Sequence, residues 1–281
     1  MKQLRPAGRG IHFLLEIVML QQEQEDFARD GAVVLRGFFK DWIEPLREAV
    51  AYNEAHPGPF FRDYTTAPGQ ARFFGDYCNW QNVPGYRDFI ENGPGASLAR
   101  SIMGAQRARI FHEHVLVKEA GNDKATPWHH DEPYYCVTAK QTVSIWLPLD
   151  PVARDSSLEF VAGSHRWGKL FRPRKFTQGS YDHQSDTLEP VPDIDAHRDQ
   201  YDILGWALEP GDAIAFDYLT LHGAPGNRSQ THSRRVISTR WLGDDAVYVL
   251  RGGETSPPYP DLAKTLRPGQ PLPEDVFPFL A

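Results

Sequence analysis

The sequence predicts a mainly β protein, an all-β jelly-roll barrel with an N-terminal helical layer. Three observations predict it. Beyond Arg107 the chain breaks into short runs rich in β-branched and aromatic residues, separated by turn residues, as in antiparallel barrels. Before Arg107 the apolar spacing is mostly helical. The chain has 281 residues, enough to bury one large core, and all-β domains of roughly 200–250 residues commonly stay undivided.

Taken in order, residues 1–18 read as an extension, disordered or a misassigned start, and 19–281 as a single domain. Lys2, Arg5 and Arg9 ahead of IHFLLEIVML imitate a secretory signal, but His12 and Glu16 interrupt the apolar run and no small-residue cleavage site follows. QQEQEDFARDG reads as a polar helix stopped by Gly31, and AVVLRGFF (32–39) as a strand. Asp41 is placed to cap the helix DWIEPLREAVAYNEAH, whose Trp42, Leu46, Ala49 and Val50 share a face. Two more helices are expected around 84–92 and 95–103, parted by NGPG. RIFHEHVLVK, QTVSIWLPL, SLEFVAGS, GDAIAFDYLTLHG and RRVISTRWLG supply the barrel strands. Residues 166–205 lose this periodicity and form a long charged insertion, which in a compact domain reads as a lid. The last thirty residues are proline-rich and are expected to wrap the surface in extended form.

Composition excludes several classes. A formal net charge of −7 has the wrong sign for a general nucleic-acid binder. Cys78 and Cys136 are too few for a disulfide framework and fit packing residues of a reducing, cytoplasmic compartment. No run reaches the roughly eighteen apolar residues that span a membrane.

The chemistry concentrates in His129-His130-Asp131, with His222 ninety-one residues past that aspartate and Arg234 twelve past His222. Side chains alternate along a strand, so His129 and Asp131 are expected on one side, about 7 Å apart at the backbone, with His130 pointing away. Two neutral imidazoles and an ionised carboxylate suit Fe(II) and occupy one face of the ion, leaving the other positions for an organic co-substrate and O₂. Such a set points to an oxygenase. The close pair alone is weakly specific, since His130 with Glu132 and His197 with Asp199 have the same spacing. Trp128, Tyr134 and Tyr135 surround the first pair as they would line an apolar pocket, whereas His197 stands in the polar stretch DIDAHRDQYD, read as a solvated loop. His222, read alone, is either a third ligand or the residue that opens the turn Gly223-Ala224-Pro225-Gly226. Arg234 favours the ligand, because a permanent planar cation matches the far carboxylate of a dicarboxylic co-substrate chelating the metal. Fe(II), Asp131, a 2-oxoacid dianion and Arg234 sum to zero charge, which a low-dielectric pocket tolerates. Alternation puts Arg234, Val236 and Ser238 on one face, and Arg235 on the other is the competing anchor.

The ordered set TPWHHDEPYY, VSIWLPLDP, SSLEFVAGSHRWG, PGDAIAFD, LHGAPGN and RRVIS resembles the phytanoyl-CoA dioxygenase (PhyH) family of Fe(II)/2-oxoglutarate oxygenases, over roughly residues 20–245. The resemblance implies a double-stranded β-helix, a cupin-like barrel, with Fe(II) as cofactor and 2-oxoglutarate as co-substrate. It implies His129, Asp131 and His222 as iron ligands and Arg234 as the 2-oxoglutarate anchor. Trp146 matches a position that lies against 2-oxoglutarate in relatives, with core packing as its alternative, and His114 is placed to adjoin the co-substrate. The implied reaction hydroxylates an unactivated C–H bond of a small organic molecule with O₂, releasing succinate and CO₂. Three departures stand out. The anchor follows the distal histidine by twelve residues rather than the family's eleven, the family's Asn-Gly-x-Leu turn is Ser156-Ser157-Leu158, and the proline of its PGSH turn is Ala162. The ligand aspartate, which related halogenases replace with a small residue, is present as Asp131 and argues for hydroxylation.

Two other readings compete. His112-Glu113-His114 with Glu119 approaches the first metal motif of cupin enzymes that use no 2-oxoglutarate, although its glycines are misplaced and Arg234 would have no task. A non-catalytic binding protein could use the same scaffold. Of the substrate the sequence says little. Arg166, Lys169, Arg172, Arg174 and Lys175 form a basic run that is either a receptor for an anion or a solvated surface, and no feature identifies a CoA site.

Overall fold

A computed structural model describes residues 20–65, 67–173 and 188–281. The expected extension at 1–18 and the expected lid's residues 174–187, with Arg174 and Lys175, lie outside the described residues. A helix over residues 20–30 (α1) ends at Gly31, whose φ of +79° is a left-handed conformation that favours glycine. A Cβ at Gly31 would also lie 2.3 Å from His165 Nδ1. The following strand, β1 (Ala32–Leu35), is shorter than the expected 32–39, because Gly37 at φ +72° turns the chain. The expected Asp41 cap is not made either. Lys40–Trp42 is a 3-10 turn running directly into α2 (Ile43–Ala55), with no side-chain cap on either element, so the preceding turn supplies the geometry a capping side chain would. Helices α3 (Pro84–Asn92) and α4 (Gly95–Met103) fall where the sequence places them.

The remaining strands are β2 (Arg62–Asp63), β3 (Phe73–Tyr77), β4 (Arg109–Lys118), β5 (Thr126–His129), β6 (Val137–Thr138), β7 (Thr142–Pro148) and β8 (Glu159–Val161), then β9 (Ile203–Leu204), β10 (Ala213–Phe216), β11 (His222–Ala224), β12 (Arg234–Leu242) and β13 (Val247–Tyr248). Antiparallel pairing builds a seven-stranded sheet, β1-β10-β7-β12-β4-β3-β2, and a four-stranded sheet, β5-β11-β8-β9, with β6 and β13 paired separately. The run GDAIAFDYLTLHG divides between them, β10 joining the large sheet and β11 the small one.

Alternation along the large sheet makes two cores. Val115, Val117, Val143, Ile145, Leu147, Ile237 and Trp241 face outward and pack against α2, α3 and α4. Trp146, Ile214, Phe216 and Val236 face inward and meet Leu158, Phe160 and Ala224 from the small-sheet side. Burial on both faces explains why β7 is buried along its whole length and reads as a continuous apolar run. This is the expected jelly-roll barrel with its helical layer.

Two segments differ from expectation. The C-terminal residues do more than wrap the surface: Leu262, Leu272 and Phe277 are buried, and Phe277 packs on Phe111 and Tyr259 at centroid distances of 5.5 and 5.1 Å. The backbone N–H groups of Ala108 and Ile110 donate to the carbonyls of Ala281 and Pro278. Widely spaced apolar residues between prolines carry no periodic signal, which hid this packing from the sequence. Within 166–205, the described Phe171, Val191 and Ile194 pack with Trp128, Val161 and Leu221 on the outer side of the small sheet. The Trp128 indole N–H donates to Asp195 Oδ1 at 3.0 Å there.

Candidate metal centre and cavity

His222 on β11 pairs directly with His129, the last residue of β5. Asp131 lies past the strand's end, at φ −78° and ψ −36°, opening the 3-10 turn Glu132–Tyr134. Strand alternation therefore does not place it, contrary to expectation. Its N–H donates to Tyr218 O at 2.7 Å, and this turn swings the carboxylate back beside His129. Asp131 Oδ1 lies 3.7 Å from His129 Nε2 and 3.8 Å from His222 Nε2. Among the described residues these three form the group whose donor atoms could hold a metal ion, all within 4.8 Å of one another.

The tautomers follow from the backbone. His129 Nδ1 faces Pro127 O at 2.8 Å and His222 Nδ1 faces Thr220 O at 2.9 Å, so each Nδ1–H donates and each Nε2 lone pair points to the shared centre. Burial pushes both imidazoles down, His222 to about 3, and keeps them neutral. Burial works against the Asp131 charge, but the Arg240 guanidinium, 3.8 Å from Oδ2, with His222, His129 and the Tyr135 hydroxyl, outweighs it and holds the carboxyl below the usual carboxylate range. Ser144 Oγ donates to the same Oδ2 at 3.2 Å. Two lone pairs and a carboxylate oxygen converging in a buried space repel one another unless a cation lies between them. The mixed nitrogen and oxygen donors fit a divalent iron.

The triad borders a cavity of about 340 Å³, whose far wall is the inner face of β4 and β12: His112, His114 and Lys118 opposite Arg234, Ser238 and Arg240. Arg234 is 6% exposed, donates to Ser156 O and has no ion-pair partner among the described residues. Burial lowers its pKa to about 10, so it remains a cation at neutral pH. Arg235 points away and grips Asp150, Nε to Oδ2 at 3.0 Å and Nη2 to Oδ1 at 2.5 Å. Trp146 and His114 line the cavity, as do Tyr134 and Tyr135. Trp128 does not, because alternation puts it with His130 on the outer side of the small sheet.

The competing motifs diverge. His130 Nε2 accepts the Phe171 N–H at 2.9 Å, while Glu132 pairs with Arg251 at 3.3 Å. His197 and Asp199 are exposed. His112 and His114 reach the cavity, but Glu119 Oε2 accepts the Arg72 N–H at 2.7 Å instead of joining them, so the cupin-type trio does not assemble. Sequence reasoning missed Arg240, Lys118 and Ser144, and the mouth residues Arg62, Tyr64 and 254–258. Carrying the β12 alternation past Ser238 would have reached Arg240, and carrying that of β4 past His114 would have reached Lys118. The mouth residues had no local signal.

A double-stranded β-helix with two histidines on its smaller sheet and a carboxylate just past that sheet's strand end, facing a buried arginine, defines the class of non-haem iron oxygenases. The chain belongs to the phytanoyl-CoA dioxygenase (PhyH) family, whose model matches residues 27–236. Dioxygenase cdmD of Talaromyces verruculosus is 25% identical over 235 residues, covering 74% of this chain and 69% of its own. The non-heme alpha-ketoglutarate-dependent epimerase SnoN from nogalamycin biosynthesis has the same fold, with a TM-score of 0.72 at 21% identity over 94% of this chain and 100% of its own. SnoN has been solved in complex with Fe3+, alpha-ketoglutarate and nogalamycin RO. EctD from S. alaskensis, solved with 2-oxoglutarate and 5-hydroxyectoine, gives a TM-score of 0.65 at 20% identity over 89% of this chain and 84% of its own. No helix among the described residues is long and apolar enough to cross a membrane.

Proposed function

We propose that this protein is an Fe(II)- and 2-oxoglutarate-dependent dioxygenase that hydroxylates an unactivated C–H bond of a small organic molecule, with release of succinate and CO₂. One observation carries the reading: a buried arginine without a carboxylate partner among the described residues faces the same cavity as a convergent His-Asp-His set. His129 Nε2, Asp131 Oδ1 and His222 Nε2 would hold the metal, and Ser144 steadies the other aspartate oxygen. Arg234 would hold the far carboxylate of 2-oxoglutarate, with Trp146 and His114 lining the same cavity. Bound iron and 2-oxoglutarate supply the O₂ activation that oxidises the C–H bond. The apolar walls, Leu116, Leu158, Phe216 and Val236, keep water from the reacting centre.

Asp131 fills the position a halide would need, which supports oxygen rather than halogen transfer. The epimerase SnoN and the carbocyclase SnoK share the fold, so the fate of the oxidised carbon is read from the product. The test is to load the protein anaerobically with Fe(II) and 2-oxoglutarate, add a metabolite library and O₂, and measure succinate together with products one oxygen atom heavier. His129→Ala and Asp131→Ala abolish turnover, while His197→Ala retains it. Activity that survives His129→Ala and vanishes in His197→Ala overturns the assignment.

A further inference from the structure

The cavity holds more positive charge than a metal and its co-substrate consume. Arg240 lies on the inner face of β12 and is 8% exposed. Its Nε donates to Tyr135 Oη at 2.9 Å and its Nη1 to Ser238 O at 3.1 Å. Nη2 comes no nearer than 3.8 Å to Asp131 Oδ2 and, among the described residues, has no acceptor within hydrogen-bond distance. Arg240 is thus a charged neighbour of the aspartate, with N–H groups unused. Across the ladder, His112 pairs with Arg240 and His114 with Ser238. Among the described residues, His114 Nε2 and Ser238 Oγ are buried without a hydrogen-bond partner. Buried polar atoms are rarely left so, and two on one cavity wall beside the open Arg240 Nη2 indicate a ligand that meets them.

The charge sum makes the ligand's class specific. On the proposed function, iron, Asp131, dianionic 2-oxoglutarate and Arg234 balance, which leaves the Arg240 charge uncompensated. Lys118 does not add to it at neutral pH, because burial, with Arg234 and Lys124, pushes its amine down to about 6. Arg62 and Glu254, at the mouth, are exposed and of opposite sign. A net positive charge left in a low-dielectric chamber is unfavourable, and one arriving negative charge removes the surplus. A primary amine would add to the surplus, and a phosphate dianion would reverse it. We propose that the substrate is a monocarboxylate whose carboxylate docks on Arg240 Nη2, with Ser238 and His114 completing its hydrogen bonds. Tyr64, Tyr77, Tyr134 and Pro257 line the rest of the cavity and fit a ring or flat apolar body behind that group.

The inference rests on the proposed function, and the two fail separately. Benzoate is the probe and benzamide its neutral counterpart, each titrated calorimetrically into protein loaded anaerobically with Fe(II) and 2-oxoglutarate. Benzoate binds about ten- to a hundredfold tighter than benzamide, the range expected of a charge-assisted hydrogen bond. Arg240→Met brings the ratio close to one, Arg240→Lys keeps most of it, and in both variants 2-oxoglutarate affinity stays within about threefold of the unsubstituted protein. Equal binding of the two probes by the unsubstituted protein, or no benzoate binding, overturns the proposal whatever the variants do. So does an Arg240→Met variant that loses 2-oxoglutarate instead, since the guanidinium would then serve the co-substrate. Failure of the unsubstituted protein to bind 2-oxoglutarate, seen in the titration without benzoate, counts against the function itself.

Discussion

Arg234 and Arg235 are adjacent on one strand and face opposite sides, so replacing each with methionine separates co-substrate binding from stability. Arg234 is buried, gives one hydrogen bond to the Ser156 carbonyl and has no ion-pair partner among the described residues. Removing its charge relieves a desolvation penalty while the methionine keeps the apolar stem, so the fold keeps its stability or gains up to about 2 kcal/mol. What disappears is the grip on 2-oxoglutarate. Two charge-assisted hydrogen bonds at about 1.5–3 kcal/mol each give about 3–6 kcal/mol, or a Kd about 10²- to 10⁴-fold weaker. Arg235→Met does the reverse. Asp150 is nearly buried and keeps, among the described residues, only the Arg235 backbone N–H at 3.0 Å and Arg47 at 3.7 Å. The variant therefore loses about 1–3 kcal/mol of stability with 2-oxoglutarate affinity unchanged. Anaerobic calorimetry on the Fe(II)-loaded protein reads the first quantity and urea unfolding the second. Unchanged 2-oxoglutarate binding in Arg234→Met, or lost binding in a folded Arg235→Met, would refute the anchor.

Three further outcomes are expected. Burial pushes the Asp217 carboxyl up to about 7, against hydrogen bonds from the Leu219 N–H and the Thr142 hydroxyl. Its ordinary value is about 3.9, so the folded state holds a proton the unfolded chain has lost, and stability falls as pH rises from about 4 to 7. Asp217→Asn makes that decline shallower in urea midpoints measured across the window. Glu113, raised to about 8 by burial, keeps a residual slope of the same sign. An undiminished slope in the variant speaks against a protonated Asp217. Phe277→Ala empties a fully buried site against Phe111 and Tyr259 and lowers stability by about 3–5 kcal/mol, a loss visible in the thermal midpoint; a change below about 1 kcal/mol would mean the C-terminal segment is not docked. His130→Ala removes the acceptor of the Phe171 N–H, so limited trypsin digestion cuts faster within 166–205 while metal content, measured by elemental analysis, holds. Loss of the metal would place His130 at the centre rather than behind it.

Much of the architecture was legible because its signals are local. The helices at 84–92 and 95–103 and the long strands at 109–118 and 234–242 announce themselves through periodicity and flanking turns. His129, Asp131 and His222 were legible as residue types with a spacing. Their meeting was reasoned from a strand that in fact stops at His129, so the right residues were chosen for partly the wrong geometry. Arg240 was overlooked although the same alternation that favours Arg234 reaches it, because the pattern was followed only as far as Ser238. The mouth residues 254–258 come from a proline-rich segment whose place is set by the neighbouring Tyr259, which packs on Phe111 and Phe277 from distant parts of the chain.

By itself the sequence determined the fold class, the identity of the three converging side chains and the presence of a cation to face them, since hydrophobic period, turn chemistry and donor type are properties of neighbouring residues. Only the tertiary structure decided which arginine turns inward, that Glu119 bonds Arg72 rather than joining His112 and His114, and that Arg240 stands unbalanced beside Asp131. Those outcomes depend on which strands pair, in what register, and which face the helices cover, and a change of register by one residue would exchange every inward side chain for an outward one.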